Sequence, residues 1–491
     1  MRLDQLVRDL DGVRLGGDPS VDITAVTHDS RTVAPGTLFC CVRGATTDGH
    51  DHAPEAVRAG AVALLAERRL GLGVAEALVA DVRRSMGTVA AAFHGHPSRA
   101  LQVVGVTGTN GKTTVTHLLA AVLRAAGRRT EVMGTLSGAR TTPEATDLQA
   151  RLAAFRDAGT TAVAMEVSSH ALALDRVVAT HFAVGVFTNL GRDHLDFHAS
   201  MDEYFAAKAR LFEPGRTATG VVNFDDPRGR VLLEAAPVPM RPYALADVTD
   251  LEVGAERSTG TWRGRRLVVP MGGVFNVSNA LAAATAATEL GVDADTVVHG
   301  LASAPPVPGR FEVVRLPGAP TVVVDYAHTP DGLEQVLLAC RRMTPGRLVV
   351  VFGCGGERDR EKRPAMGAAA SRLADEVVVT SDNPRSEDPL AIIAAVVAGA
   401  DGPAALTVEP DRRSAIGLGL SAAGGSGMVV VAGKGHETTQ SVGDRVLEFD
   451  DRVVVREELA RAASGHGPAA HGSAAYGAAA HGREAGRQAP G

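Results

Sequence analysis

Lysine is almost missing from this 491-residue chain: of 50 lysine and arginine residues, only Lys112, Lys208, Lys362 and Lys434 are lysines. Arginine carries plain positive charge everywhere else. A coding bias would leave four accidental survivors, but a guanidinium cannot replace an amine that must act as a compact point charge on a phosphate, or lose its proton and react. The four lysines are therefore candidate site residues before any motif is read. Cysteine is scarce too. Cys40, Cys41, Cys340 and Cys354 show no Cys-x-x-Cys spacing, which argues against a disulfide framework or a zinc site and for reduced packing residues. No run approaches the roughly 18 apolar residues of a membrane span, and the first ten residues lack an apolar signal core, so a cytoplasmic protein without a membrane span is expected. A formal net charge of −6 gives no basic footprint, and nucleic acid is not expected as a partner.

What is present is a chain with 45% hydrophobic residues, long enough for about three domains at roughly 150 residues each. Residues 1–100 alternate short apolar runs (37–42, 61–65) with polar turns, including a loop around Gly44, Asp48, Gly49 and His50, and read as a small α/β domain. From 101 to 309, apolar runs of four to eight residues alternate with Ala/Leu helices, and runs 103–106, 161–165 and 182–187 are predicted to share one sheet. The cluster Pro305, Pro306, Pro308, Gly309 reads as a linker or hinge. Beyond it, over 310–463, runs 322–324, 348–352, 377–379 and 428–431 predict a second parallel sheet. The stretch 464–491 is Gly/Ala/Pro-rich, with His466, His471, Tyr476 and His481 at five-residue intervals. A disordered extension is preferred there over a metal-binding tail.

Strand 103–107 leads into Gly108-Thr109-Asn110-Gly111-Lys112-Thr113-Thr114 and then an apolar-periodic helix. Such a loop aims backbone N–H groups and a positive helix end at phosphates, with Lys112 reaching the β/γ oxygens and Thr113 or Thr114 placed for Mg²⁺. The usual phosphate-loop spacing would need glycine at Val106, yet nucleotide binding is preferred here over a chance glycine turn. Glu166, at the end of a strand beside this loop, suits a Mg²⁺ carboxylate, and His194 could join a second metal site. Taken alone, His194 and Asp196 would equally be loop hydrogen-bonding residues. Lys208 lies in a helical stretch whose small, apolar neighbours would lower an amine's pKa, the alternative being a helix lysine that snorkels to water. In the second sheet the polar clusters Asp325/His328, Gly355/Arg358, Asp382/Asn383/Arg385 and Gly433/His436/Glu437 all follow strands, where doubly wound sheets bind ligands.

The Gly108–Thr114 loop, Glu166-Val167-Ser168-Ser169-His170, the 188–196 stretch, Ala207-Lys208, Asn276-Val277-Ser278-Asn279-Ala280, Asp325-Tyr326-Ala327-His328 and Gly433-Lys434-Gly435-His436-Glu437 together resemble the Mur ligase family, over about residues 30–452. The resemblance implies an α/β fold of three domains: an N-terminal one for a UDP moiety, a central one with a P-loop ATPase sheet, and a C-terminal Rossmann-like one that brings an amino acid. It implies that Ser30 contacts uridine, that Thr141, Thr142, Ser168 and Arg176 contact the muramoyl dipeptide, and that Asn279, Arg310 and Asp325 contact ATP. Lys208 would be carbamylated and, with Glu166 and His194, hold Mg²⁺ at two sites. Arg358, Asp382, Asn383, Pro384, Arg385, Gly433 and Glu437 would form the amino-acid pocket.

Asp382-Asn383-Pro384-Arg385 resembles members that add diaminopimelate, whose second carboxylate an arginine fork can bind; lysine-adding relatives lack the arginine. Ala45-Thr46-Thr47 departs from the family pattern, carrying none of the His or Gln seen in some relatives. The implied activity is ligation at the D-glutamate γ-carboxylate of UDP-MurNAc-L-Ala-D-Glu through an acyl phosphate, by a monomer, in peptidoglycan precursor synthesis. Positioning and charge neutralisation by Lys112 and Mg²⁺ would supply most of the catalysis. The alternatives are the same reaction with L-lysine and a folylpolyglutamate-type ligase, which the extra N-terminal domain and the Asp-Asn-Pro-Arg cluster disfavour. A GTP-dependent switch would need an Asn-Lys-x-Asp signature, and none of the four lysines sits in one.

Overall fold

The computed structural model describes residues 1–464 apart from Ala45 and Ala139; the tail expected to be disordered, from 465 on, lies outside them. The chain forms two compact units, Met1–Glu312 and a second beginning at Val313. The first unit starts with a five-stranded sheet in the order Arg14–Gly16, Ala75–Leu78, Ala61–Ala66, Thr37–Cys40, Ala25–Thr27, parallel except for its first pair. Because side chains alternate across a strand, Leu38 and Leu65 face one core with Met86 of helix Val82–Phe93, while Phe39 and Leu64 face another with Ala53 and Ala56. Asp81 caps that helix by accepting a hydrogen bond from the Arg84 N–H at 3.0 Å.

A wholly parallel six-stranded sheet follows in the order Met240–Tyr243, Thr217–Asn223, Phe182–Phe187, Gln102–Thr107, Ala162–Glu166, Thr130–Met133. Parallel strands covered on both faces read as continuous apolar runs, and the three central strands match the predicted runs to within a residue. The outer strands escape prediction for physical reasons. Met240–Tyr243 contains Pro242, which has no N–H to give to a ladder and is tolerated because this strand lies at the edge. Helices Lys112–Ala125 and Val274–Glu289 pack on one face, the second burying Ala280, Ala283, Ala284 and Ala287 in the same core as Leu118, Leu119 and Val122. At the centre of the sheet Gly105 lies opposite Gly185, and a Cβ on Gly105 would meet the Phe182 ring at 2.7 Å.

In the second unit, strands Thr321–Asp325, Met428–Ala432, Leu348–Phe352, Glu376–Val379 and Ala405–Val408 follow in that order, all parallel. The first four are the predicted runs. Beneath their carboxyl ends lies Arg412, the first residue of helix Arg412–Ala423, fully buried against Asp451, which opens helix Asp451–Ala463. Its guanidinium donates to both Asp451 oxygens at 2.8 and 2.7 Å, to the Ser381 carbonyl at 3.2 Å and to the Ala432 carbonyl at 2.9 Å. One side chain thus ties two helices to the ends of two strands.

Removing one partner of a buried pair leaves an uncompensated charge, which costs about 3–5 kcal/mol. Asp451→Ala is therefore expected to lower the stability of the second unit by that order, read as a fall in the denaturant midpoint of its unfolding transition. A midpoint equal to the wild type would show that Arg412 needs no counter-charge.

Candidate functional site

The loop after strand Gln102–Thr107 is shaped by two glycines. Gly108 and Gly111 have φ of 145° and 87°, and a Cβ there would meet Thr188 Oγ1 at 1.9 Å and Asn279 Oδ1 at 2.3 Å. Only glycine allows those side chains so close to the backbone. The neighbouring strand's loop holds the turn from outside: Thr188 Oγ1 donates to the Asn110 carbonyl at 2.6 Å, Asn189 Oδ1 accepts from the Asn110 N–H at 2.9 Å, and Thr109 Oγ1 meets the Tyr204 hydroxyl at 3.1 Å. Helix Lys112–Ala125 begins at once, with Thr113 and Thr114 buried in its first turn, so its N–H groups and positive end face the loop.

Two amines meet at one carbonyl. Lys112 Nζ donates to Gly108 O at 2.9 Å and to Thr109 O at 2.8 Å, and Lys208 Nζ reaches the same Gly108 O at 2.8 Å from helix Met201–Ala209. Lys208 is buried and its Nζ lies 4.3 Å from the Tyr204 ring centroid. Burial, and after it the Lys112 charge, pulls the Lys208 pKa well below that of an ordinary lysine. Burial lowers Lys112 as well, opposed by Glu166 and Asp193. The result favours a neutral amine at Lys208, the form that is nucleophilic.

Glu166, buried at the end of strand Ala162–Glu166, accepts from Thr113 Oγ1 at 3.0 Å and from Thr135 through its N–H at 2.9 Å and its hydroxyl at 3.1 Å. Arg310 Nη2 donates to Thr113 Oγ1 at 3.0 Å, so a residue 197 positions away completes this corner. His194 has a left-handed φ of 56° and its Nε2 lies 3.3 Å from Asp193 Oδ2. Burial takes its pKa down to about 3, so the imidazole is neutral and offers a lone pair. Among the described residues no group of three or more His, Cys, Asp and Glu side chains is arranged to hold a metal ion. Mg²⁺ typically keeps waters and phosphate oxygens besides one or two carboxylates, a pattern that the bonded Thr113 hydroxyl and Glu166 carboxylate fit.

Next to Glu166, Thr142 Oγ1 donates to the Glu166 carbonyl at 2.9 Å and accepts from the Ser168 N–H at 3.1 Å; Thr141 Oγ1 lies 3.1 Å from Thr135 Oγ1. Arg176 Nη2 approaches Glu144 Oε1 at 2.9 Å, where Arg83 and Arg140 also converge, so three guanidinium groups surround one carboxylate. Sequence reading missed Glu144, Arg83 and Arg140, and nothing in the spacing points to a contact over 61 residues. Ser30 lies in the single helical turn Ser30–Thr32 capped by Asp29. Nearby, His28 Nδ1 meets Thr146 Oγ1 at 2.7 Å.

In the second unit the loops after three strands interlock. Asn383 Nδ2 donates to Glu437 Oε2 at 2.7 Å; Gly433, with φ 112°, lies so close to Asp382 that a Cβ would meet its Oδ2 at 2.6 Å. Asp325 accepts from the Ala327 N–H at 2.8 Å, and its carbonyl accepts from the Gly433 N–H at 3.1 Å. Pro384 is buried; Arg385 follows in a left-handed conformation, φ 54°, and its guanidinium donates to the Gly356 carbonyl. Arg358 is exposed on the loop after Leu348–Phe352. Sequence reading missed hairpin Thr439–Val442/Arg445–Glu448, where Gln440 Nε2 donates to the Asp382 carbonyl at 2.7 Å and the Ser441 N–H to Asn383 Oδ1 at 2.9 Å.

Family models described as "Mur ligase family, catalytic domain", "Mur ligase middle domain" and "Mur ligase, glutamate ligase domain" match residues 22–104, 106–287 and 309–435. The chain belongs to the Mur ligase family. A Streptomyces avermitilis relative, "UDP-N-acetylmuramoyl-L-alanyl-D-glutamate--2,6-diaminopimelate ligase", is 46% identical over 469 residues, covering 89% of this chain and 92% of its own length. A Syntrophomonas wolfei relative of the same name is 43% identical over 484 residues, covering 94% of this chain and 99% of its own. A solved structure titled as such a ligase has a TM-score of 0.66 and 33% identity, covering 95% of this chain and 99% of that one. The three-domain architecture of this family is the architecture of the chain.

Burial lowers the pKa of His94, His117, His170, His194 and His198. Unfolding restores ordinary values near 6.5, so below that pH the unfolded chain binds more protons than the folded one. Stability from these histidines is complete above pH ~6.5 and is lost as pH falls toward their folded values. The melting temperature is expected to drop between pH 7 and pH 5; a scan in which it holds or rises would contradict the neutral buried histidines.

Proposed function

We propose that this chain is an ATP-dependent ligase that adds diaminopimelate to the D-glutamate γ-carboxylate of UDP-MurNAc-L-Ala-D-Glu in peptidoglycan precursor synthesis. The observation that carries the reading is the pair of buried amines on the Gly108 carbonyl beside the Thr113–Glu166 contact. A phosphate loop needs one ammonium, Lys112; a second amine kept uncharged at its back suits carbamylation, since CO₂ reacts with the neutral form. Residues 1–100 would bind the UDP moiety with Ser30, residues 101–309 ATP, and residues 310–463 the amino acid. The chain would work as a monomer in the cytoplasm, where its nucleotide-linked substrates are soluble; no helix among the described residues is long and apolar enough to cross a membrane.

Gly108 to Thr114 hold the phosphates through backbone N–H groups, and Lys112 neutralises the oxygens on which charge builds. Asn279, Arg310 and Asp325 position the nucleotide. Thr113, Glu166, His194 and carbamylated Lys208 would hold Mg²⁺ at two sites, and the metal when bound supplies further charge neutralisation. Thr141, Thr142, Ser168 and Arg176 place the D-glutamate γ-carboxylate in line: its oxygen bonds to the γ-phosphorus as ADP leaves, giving an acyl phosphate. The deprotonated amine of diaminopimelate, held by Arg358, Asp382–Arg385, Gly433 and Glu437, then attacks the acyl carbon, and phosphate leaves as the amide forms. Holding the acyl phosphate and the amine together would convert a bimolecular step into an effectively unimolecular one.

Release of ADP is expected only when both the dipeptide acceptor and the amino acid are present. Lys208→Arg should abolish that release and leave ATP binding intact, because a guanidinium keeps charge but cannot form the carbamate; a small added carboxylate should partly rescue Lys208→Ala. Wild-type turnover by Lys208→Arg in CO₂-depleted buffer sinks the assignment.

Arg385→Ala is expected to raise the KM for diaminopimelate by roughly tenfold to a hundredfold, the worth of a hydrogen bond to a charged group, with the KM values for ATP and acceptor unchanged. Lysine has no distal carboxylate, so the preference for diaminopimelate over lysine should narrow. If Arg385 serves only the Gly356 carbonyl, the melting temperature falls and all three KM values rise together.

A further inference from the structure

Lys434 has no place in the assignments above, yet its side chain is 0% exposed. Its Nζ donates to Glu437 Oε2 at 3.1 Å and to the Thr439 carbonyl at 2.5 Å. Asn383 Nδ2 donates to the same Glu437 Oε2 at 2.7 Å, while Asn383 Oδ1 is fixed by the Ser441 N–H at 2.9 Å. The backbone closes the arrangement, with the Glu437 N–H on the Lys434 carbonyl at 2.9 Å. Glu437 is thus a half-exposed carboxylate with one oxygen bound from beneath by two donors, each locked in its turn.

We propose that Lys434 is a positioning residue of the amino-acid site: with Asn383 it fixes Glu437 Oε2, so that Oε1 is the oxygen presented to an ammonium group of the incoming diamino acid. This rests on the pocket reading of Glu437. Two donors on one oxygen set the orientation of the carboxylate plane, which leaves the other oxygen aimed as a charge-assisted acceptor for an ammonium ligand. A compact amine suits a fully buried position with two acceptors close together, where a planar five-donor fork would leave hydrogens unsatisfied. A purely structural lysine would serve the turn at Thr439, and its loss would be felt by every substrate alike.

A double-mutant cycle separates these roles. Glu437→Gln, Lys434→Met and the double variant are assayed for KM and kcat with the diaminopimelate isomer that the wild type turns over, for KM of ATP, and for melting temperature. Each single variant is expected to raise the diaminopimelate KM by roughly tenfold or more, and the double to be no worse than the worse single, because residues acting through one contact are not additive. The KM for ATP should not move, and Lys434→Arg should not rescue. Multiplying fold-changes in the double, or a parallel rise in all KM values, overturns the positioning role. An unchanged diaminopimelate KM in Glu437→Gln instead overturns the pocket reading, so the two failures are distinguishable. If Lys434→Met is too unstable to assay, Lys434→Gln carries the same cycle; loss of folding in both shows that Lys434 holds the turn and ends the proposal.

Discussion

Two amines sharing the Gly108 carbonyl form the constraint around which the first unit is arranged. A carbonyl oxygen has lone pairs for two donors but no charge to offset two buried cations, and a buried unpaired cation is expensive. The cheapest resolution is to charge one amine and neutralise the other. Burial lowers both amines and Asp193 opposes it at both, but Glu166 adds its support at Lys112, whereas at Lys208 the Lys112 charge adds to the effect of burial. The packing enforces this asymmetry. Tyr204, whose ring lies against Lys208 Nζ, bonds to Thr109, and Thr188 presses so close to Gly108 that a side chain there would collide with it. Sheet order is part of the same constraint, because strand Gln102–Thr107 has Phe182–Phe187 on one side and Ala162–Glu166 on the other. Both neighbours' loops therefore open beside the glycine turn.

The second unit solves a different problem with the opposite charge. Its strand ends gather carboxylates, Asp382 and Glu437 among them, and beneath them lie two fully buried cations, Arg412 and Lys434. Arg412 is matched by Asp451, so its formal charge cancels. What it contributes upward is geometry, since it fixes the carbonyls of Ser381 and Ala432 immediately before the two loops begin. A rigid base lets a loop carry strained conformations such as the left-handed Arg385 without losing its register.

Much of this was legible in the sequence, and the boundary of legibility follows burial. Central strands covered on both faces must be apolar throughout, so 103–106, 182–187 and 428–431 announce themselves. Edge strands carry no such demand, and Thr130–Met133, Met240–Tyr243 and Ala405–Val408 are not among the predicted runs. The turn before helix Lys112–Ala125 is legible because glycine, lysine and threonine stand at fixed offsets, and Lys208 draws notice because lysine is so rare here. Contacts that depend on chain crossing were not readable. Arg83 and Arg176 on Glu144, Asn189 clasping Asn110, and Gln440 on the Asp382 carbonyl join residues tens of positions apart, and each side chain alone is an ordinary surface type.

The scarcity of lysine gains a physical meaning from where the buried cations fall. Arg412 and Arg363 are buried, and each lays two or more N–H groups on one carboxylate, Asp451 or Glu387. A fork meets a fork, and few hydrogens are left over. Lys208 is buried on the Gly108 carbonyl oxygen and Lys434 on two single oxygens, Thr439 O and Glu437 Oε2, where a guanidinium would strand most of its donors away from water. A coding pressure that turns lysine into arginine can therefore act freely on the surface and at carboxylate forks. It meets an energetic barrier where a compact amine fills a closed pocket. The surviving lysines mark that barrier, and two of them lie at the loops on which the proposed chemistry depends.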